Sequence, residues 1–499
     1  LRRCGKFVAA AATSSSYPMA TLDISFKPER AHLRRPKRGV IAEKVVPQSV
    51  SGRYRRLKWA ALIVCLGIYY ILPFIRWSRG PGQPDQALLF DFERGRLYLF
   101  FIEIWPQEVY YLTGLLILAT LILIWINAIA GRVWCGYFCP QTVWTDLFLL
   151  VERWIEGDRR ERLKKQGAGL TPRRLLEIGL KHTIWILIAM GTGGAFVLYF
   201  ADAPTLLLNL ATGEASTLSY AWVGILTGTT YTLAGFAREQ VCTWMCPWPR
   251  LQGAIWDPEA LTVNYRDYRG EPRGSVKKAA ELKAKGQPAG DCVDCMQCVT
   301  VCPIGIDIRE GPNFACINCG LCIDACDSIM TKLGRPRGLI DYEAWTNIER
   351  GHRNEPPRRR VIRPKTIALG LSAAGLMILM GVGLGMRGDT KLTVIHDRNP
   401  VAVTLSDGRT RNGYTVRLYN MTSRERAFRI DVAGLPEAVV EVIGNDEPVS
   451  VTPDATRELR VLVTAPTADR QTITFQASDV ETEELVSAQD VFIPFQGGQ

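Results

Sequence analysis

No cysteine follows Cys326 in this chain of 499 residues, although 14 lie within it. The carboxy-terminal third therefore has no disulfide to staple it, and must stand on its apolar core alone. No Gly-x-Gly-x-x-Gly leads out of a strand into a helix, the string occurring only at Gly383–Gly388 at the end of an apolar run, so the chain offers no recognisable nicotinamide- or flavin-binding turn. Helix-turn-helix, zinc-finger and RNA-binding signatures are missing, which makes nucleic acid a poor account of the net charge of +11. Charge is missing from several long apolar runs, and that excludes a single soluble globule. The overall charged fraction of 22% is ordinary, so wholesale disorder is excluded too. The length predicts roughly two to four domains.

Five runs have the length and apolarity of membrane helices: Lys58–Ile75, Val109–Ala130, His182–Phe200, Tyr220–Ala237 and Thr366–Met386. They are apolar all round rather than along one stripe, unlike core helices of a soluble domain. The fourth is rich in Gly and Thr, which suits close helix packing in a bilayer. Basic residues set the orientation. Arg53, Arg55, Arg56 and Lys58 precede the first run, and the loop from Arg132 to Lys181 includes Arg159, Arg160, Arg162, Lys164 and Lys165. The loop from Ala201 to Ser219 has no Lys or Arg, while Arg358, Arg359 and Arg360 precede the last run. By the positive-inside rule the amino terminus is cytoplasmic, and an odd number of spans puts everything after Arg387 outside. Leu97–Trp105 reads as an interfacial segment on the outer side, with Trp105 and Tyr110 as belt residues. Val143–Ile155 reads as an amphipathic stretch along the inner surface.

The chain opens on Leu1, with its first methionine at Met19. The stretch Lys6–Thr13 is too short and too weakly apolar for a signal peptide. A start read too early, or a non-standard start codon, is the expectation. Residues 1–50 are expected to lack structure, and Arg30, Arg34, Arg35, Lys37 and Arg38 make them a solvated basic arm.

Eight cysteines occupy a short central stretch. Cys292-x2-Cys295-x2-Cys298-x3-Cys302-Pro303 is followed by Cys316-x2-Cys319-x2-Cys322-x3-Cys326. This is the two-cluster bacterial ferredoxin run. Three thiolates on one tight loop reach three corners of a cubane, and the fourth cysteine, beyond a turn, crosses to the other cluster. One [4Fe–4S] cluster is thus expected on Cys292, Cys295, Cys298 and Cys326, the other on Cys316, Cys319, Cys322 and Cys302. Paired zinc sites would use separated Cys-x2-Cys knuckles instead. Asp327 follows Cys326 where Pro303 follows Cys302, and its carboxylate should lower the potential of the adjacent cluster. Two clusters mean electron transfer, with electrons drawn from a partner protein or a membrane quinol.

Four more cysteines form a repeat. Cys135 and Cys139 lie in Trp134-Cys135-Gly136-Tyr137-Phe138-Cys139-Pro140 after the second span. Cys242 and Cys246 lie in Cys242-Thr243-Trp244-Met245-Cys246-Pro247 after the fourth. Arg132 and Arg238 precede the two motifs. A residue before Pro avoids the helical region, so Cys139 and Cys246 should end a helix or stand just before a new one. Each pair offers two soft sulfurs, which select Cu(I), or act as a reversible dithiol. The plain alternative is four cysteines packed as small hydrophobes. His182 and Met245 are further candidate metal ligands.

From Lys391 the apolar residues alternate, as in Val401–Leu405, Tyr414–Leu418, Phe428–Val432, Leu459–Val463 and Thr472–Phe475, with turns expected at Asp407-Gly408 and Asn412-Gly413. About seven short strands without cysteine suggest an immunoglobulin-like sandwich with a docking role.

Taken together, the motifs at Cys135–Trp144 and Cys242–Arg250, the cluster run ending Gly320–Asp327, and His396–Pro400 with Arg411–Thr415 resemble the cytochrome c oxidase accessory family known as FixG, RdxA or CcoG. The resemblance covers nearly everything from about Leu22 onward. It implies a multi-pass inner-membrane protein of a Gram-negative bacterium that reduces Cu(II) to Cu(I) for assembly of cbb3-type cytochrome oxidase. The clusters would carry the electrons, and Cys135, Cys139, Cys242 and Cys246 would be the copper-handling residues. Implied partners are oxidase subunits or copper chaperones, an electron-donor protein or quinol, and a second copy of the chain. Quinol-to-cluster electron transfer without copper, and an assembly scaffold, are the alternatives. The expected fold class is an α-helical membrane protein with five transmembrane helices, an inserted two-cluster ferredoxin module and a C-terminal all-β immunoglobulin-like sandwich. The expected domains are a basic cytoplasmic arm (1–57), a four-helix membrane domain (58–256), a cytoplasmic ferredoxin-like domain (257–350), a linker with the fifth span (351–387) and a periplasmic domain (388–499).

Overall fold

A computed structural model describes residues 45–494, except 81–82, 168, 170, 423, 445–447, 454 and 467–468. Most of the basic arm, and Cys4 within it, lies outside the described residues. Four helices among the described residues are long and apolar enough to cross a membrane: Arg53–Phe74, Val109–Ala130, Pro172–Tyr199 and Pro364–Gly385. The expected span at Tyr220–Ala237 forms an α-helix of 16 residues, Thr217–Thr232, carried on by a π-helical turn, Leu233–Ala237. Its α-helical part is shorter than the ~20 residues a bilayer core asks for. The first helix starts at Arg53 rather than Lys58 because the Asp324 carboxylate accepts the Tyr54 and Arg55 backbone N–H groups at 3.2 and 2.8 Å. It satisfies two of the donors that every helix start leaves open.

The chain divides into two compact units. The first comprises the chain up to Ala60, Ala130–Lys181 and Ala237–Arg360. Here the arm departs from expectation. Val46 is buried, the Gln48 N–H donates to the Thr300 carbonyl at 2.9 Å, and Ser49 bonds Asp158. Residues 45–50 are irregular but packed. Arg55 and Lys58 are likewise buried, on Asp146 at 2.9 and 3.4 Å. The amphipathic stretch is a helix, Pro140–Glu156, whose buried face includes Phe148, Leu149, Asp146 and Glu152. That face packs into the protein, because Arg55, Lys58, Arg162 and Arg238 meet its carboxylates. Around the cluster cysteines, strands Thr262–Tyr265 and Ile340–Glu343 pair antiparallel.

The second unit comprises Ala61–Ile129, His182–Phe236 and Val361–Gln499. The close helix approach expected of the glycines of the fourth run is not made by Gly224 or Gly228, which have open space around them, but by Gly193 of the third, where a Cβ would stand 2.7 Å from the Leu226 carbonyl. The outer segment is a correction. Leu88–Asp91, Arg96–Leu99 and Ile102–Ile104 form an antiparallel sheet. Trp105 is no belt residue but buried, with the Arg96 guanidinium 3.7 Å over its ring. Tyr110 remains exposed.

After Arg387 nine strands are seen among the described residues, in two antiparallel sheets. Tyr414, Val416 and Val461 from one sheet share a core with Ile430, Phe475 and Phe492 from the other. Asp407-Gly408 turns as expected, with Gly408 at φ +84°. Asn412-Gly413 does not; it lies inside the strand Thr410–Asn420. The Asn412 side chain is consumed there, paired with His396 Nε2 at 2.9 Å and accepting the Ile493 N–H at 2.8 Å. At Gly413 an added Cβ would press on the Asp397 carboxylate, which would have to shift. The two outer motifs, His396–Pro400 and Arg411–Thr415, therefore pack on each other.

Candidate iron–sulfur and thiol site

Every cysteine of interest lies in the first unit, and the backbone explains how each loop is shaped. In both Cys-x2-Cys-x2-Cys loops the residues flanking the middle cysteine are left-handed. Asp294 and Met296 stand at φ 53° and 58°, Asn318 and Gly320 at φ 51° and 72°. Such turns are uncommon outside glycine, and their recurrence at matching places makes the two loops a structural repeat. Asn318 braces the second loop: its N–H points at Cys316 Sγ at 3.4 Å, and its amide donates to the Ala130 carbonyl at 3.3 Å.

Cys302, Cys316, Cys319 and Cys322 line one cavity, with Cys298 also on its wall and Pro303, Ile304, Ile317 and Leu321 around them. The first four are the set that the crossed spacing assigns to one cluster, and the wall around them is mostly apolar. Cys326 lies within electrostatic reach of Cys298, Cys292 and Cys295, the other assigned set. Burial pushes the Cys302 thiol up to about 11 and Cys298, Cys316 and Cys326 up to about 12. Iron ligation reverses that, since a coordinating thiol loses its proton to the metal charge. The chemistry and shape of both sets fit [4Fe–4S] clusters. Asp327 also acts on Cys326, and its carboxylate accepts the Gly338 N–H at 2.9 Å.

The two Cys-x3-Cys-Pro motifs share one backbone design. Cys139 and Cys246 are extended, with ψ 127° and 128°, and each immediately precedes a Pro that leads into a new helix. Each donates its N–H to the carbonyl five residues back, Cys139 to Trp134 at 3.1 Å and Cys246 to Val241 at 2.8 Å. The restriction before Pro sets the extended angle. Cys135 lies within electrostatic reach of Cys139, Cys242 and Cys246, and Cys242 of Cys139 and Cys246, and burial pushes the Cys135 thiol up to about 12 and Cys242 up to about 11. Among the described residues no three His, Cys, Asp or Glu side chains gather as ligands of a single metal ion.

The first motif is fastened to the cluster module. The Tyr137 hydroxyl donates to the Cys319 carbonyl at 3.0 Å. Gly136 lies so close that a Cβ would meet the Ile317 carbonyl at 2.6 Å. Cys135 packs on the apolar group around Ile317 and Cys319. Cys242 lines a second cavity with Pro303, Ile304 and Ile317, the same residues that wall the cluster cavity. Sequence reasoning placed the motifs near the clusters but missed Gly136, Tyr137, Asn318 and Asp324. Only the recurring Arg before each motif hinted at a charged setting.

His182 belongs to the second unit. Its Nδ1 is 3.0 Å from the Tyr231 hydroxyl, among the rings of Trp185 and Phe236. Met245 is exposed.

Residues 237–345 match the family described as a 4Fe-4S dicluster domain, and 112–157 match a 4Fe-4S binding domain. Residues 380–494 match the IG-like fold at the C-terminal of FixG. The chain is 49% identical over 428 residues to Protein RdxA of Cereibacter sphaeroides, covering 85% of this chain and 89% of that one. It is 45% identical over 458 residues to nitrogen fixation protein FixG of Rhizobium meliloti, covering 85% and 86%. Ferredoxin-type protein NapH of Haemophilus influenzae is 24% identical over 223 residues, 42% of this chain and 65% of that one. With its apolar helices, its iron–sulfur domains and relatives this similar over most of their length, the chain belongs to the FixG/RdxA family of membrane-associated iron–sulfur electron-transfer proteins.

Proposed function

We propose that this protein passes single electrons from two [4Fe–4S] clusters to the Cys-x3-Cys-Pro region, where Cu(II) is reduced to Cu(I) for assembly of a cbb3-type cytochrome oxidase. The observation that carries this reading is the shared wall: Pro303, Ile304 and Ile317 bound both the cavity of Cys302, Cys316, Cys319 and Cys322 and the cavity beside Cys242. Cys292, Cys295, Cys298 and Cys326 hold one cluster, and Cys316, Cys319, Cys322 and Cys302 the other. The clusters, when bound, supply one-electron redox chemistry. Pro303, Ile304 and Ile317 give the wall between the two cavities its apolar part. The thiol region favours the product, because soft sulfur binds Cu(I) better than Cu(II). One electron leaves the protein for each Cu(II) converted.

The test uses the full chain in liposomes, reduced anaerobically and freed of excess reductant, with a Cu(I)-specific chelator as readout. The native protein should yield Cu(I), and the Cys139→Ser/Cys246→Ser variant should fall to the protein-free rate. A variant that still reduces Cu(II) at the native rate would place the copper reaction elsewhere. The His182–Tyr231 pair at 3.0 Å among aromatic rings favours a second reading, quinol oxidation. Quinol that reduces the clusters while Cu(II) is never reduced would transfer the assignment to it.

In this reading the protein sits in a bacterial inner membrane with five spans. The amino terminus and the cluster module are cytoplasmic, and the immunoglobulin-like sandwich is periplasmic. The basic loops support it, with Thr217–Ala237 as the fourth span. Alkaline phosphatase, active only outside the cytoplasm, should be active when fused after Gln499. An inactive fusion at normal expression would overturn the span count or the orientation.

A further inference from the structure

We infer that Cys135, Cys139, Cys242 and Cys246 together hold a third iron–sulfur cluster, of the [4Fe–4S] type, beside the cluster cavity of the ferredoxin module. The inference deepens the proposed function and rests on its reading of these thiols as the end of the electron path.

The repeat supplies the first argument. Both motifs present one cysteine on a helical turn and a second, extended, before a proline, with the same five-residue backbone closure. Two such halves make a four-thiol set, with Cys135 within electrostatic reach of the other three and Cys242 within reach of Cys139 and Cys246. Their spacing supplies the second. No three of them gather on a single ion, and neither do the ferredoxin cysteines. Four neighbouring thiols that do not converge on one point suit the corners of a cubane better than one copper ion. The third comes from the match to a 4Fe-4S binding domain over residues 112–157. That segment holds only Cys135 and Cys139, half a ligand set. The fold brings the other half from Cys242 and Cys246.

Charge supplies the fourth and independent argument. Arg132 is 4% exposed, and its Nη2 has no hydrogen-bond partner among the described residues. Its Nε donates to the neutral amide of Gln252. The corresponding residue of the second motif, Arg238, is instead paired with Glu152 at 2.5 Å. A buried guanidinium without an anion is costly. Arg132 lies within electrostatic reach of Cys135, Cys242, Cys246 and Cys316. Four thiols that release their protons to ligate a [4Fe–4S]²⁺ core form a dianion, and that dianion would supply the missing countercharge. Iron and sulfide come from the cell's cluster-assembly proteins, as for the other two clusters. With all four thiols taken up as cluster ligands, Cu(II) would receive its one electron from this cluster, supplied across Pro303, Ile304 and Ile317, rather than by binding the thiols themselves.

Iron and acid-labile sulfide are measured on the full chain, purified anaerobically. The expected content is about twelve iron atoms per chain, against about eight for two clusters. Replacing all four thiols by serine should lower the count to about eight and leave the ferredoxin signals in the electron paramagnetic resonance spectrum of the reduced protein. A native count of about eight, or copper bound at these thiols in place of iron, overturns the inference. The native count is decisive even if the variant fails to fold. A count of about twelve without Cu(II) reduction sustains the third cluster and removes the copper reading. A count of about eight with thiol-dependent Cu(II) reduction does the reverse.

Discussion

Asp146→Ala is expected to destabilise the first unit by about 3–5 kcal/mol, enough to lose iron from the purified protein. Asp146 is 4% exposed and is the anion shared by Arg55 at 2.9 Å and Lys58 at 3.4 Å, both themselves buried. Alanine would strand two cations away from water. A folded unit of ordinary stability, about 5–15 kcal/mol, has little margin for that. The carboxyl is held below its usual range. Burial pushes it up, but Lys58 and Arg55 more than offset that. A depressed value means that the stabilisation is present above the unfolded carboxylate pKa of about 4, and is lost as pH falls through the depressed value. Thermal unfolding followed with iron retention checks both statements. Removing all three charges at once, as Arg55→Met/Lys58→Met/Asp146→Leu, should recover most of the loss, because an apolar replacement strands no charge. An unchanged melting temperature in Asp146→Ala would show that water reaches these cations.

Arg426→Met should lower the melting temperature of the immunoglobulin-like region by about 12–32 °C, at about 4–8 °C per kcal/mol for a domain of this size. Arg426 bonds Asp479 through Nε, Thr390 Oγ1 at 2.6 Å, and Glu484 Oε2 at 2.7 Å. Asp479 is almost fully buried, so losing the arginine leaves a carboxylate without its cation. The expected cost is about 3–4 kcal/mol. Arg426→Lys keeps the charge but loses the fork of donors, and should fall between the two. Calorimetry of the full chain reads this transition apart from the iron content. A shift of only one or two degrees would mean that the Glu481 and Thr482 backbone N–H groups on Asp479 suffice without the arginine.

Spacing and periodicity determined much by themselves. The doubled x2, x2, x3 run marks two loops of one design, and the structure repeats the left-handed turns around the middle cysteine in both, because loop geometry is local. The Pro after Cys139 and Cys246 dictates their extended backbone, since the restriction acts on the neighbouring residue alone. Alternation located four of the five expected strands within longer ones, and Val401–Leu405 shrank to Val403–Thr404. Tertiary structure decided where polar residues find partners. Asn412-Gly413 looks like a turn in isolation, yet His396 and Ile493 hold it in a strand. Arg55 and Lys58 read as basic residues flanking the first span, yet a carboxylate 91 residues along the chain from Arg55 buries them. Trp105 looks like an interfacial anchor, yet Arg96 covers its ring. The same holds for Arg132, whose burial beside four cysteines follows from two helices and a cluster loop meeting at one place. Local patterns are written in neighbouring residues. A buried charge is explained only by what the fold brings against it.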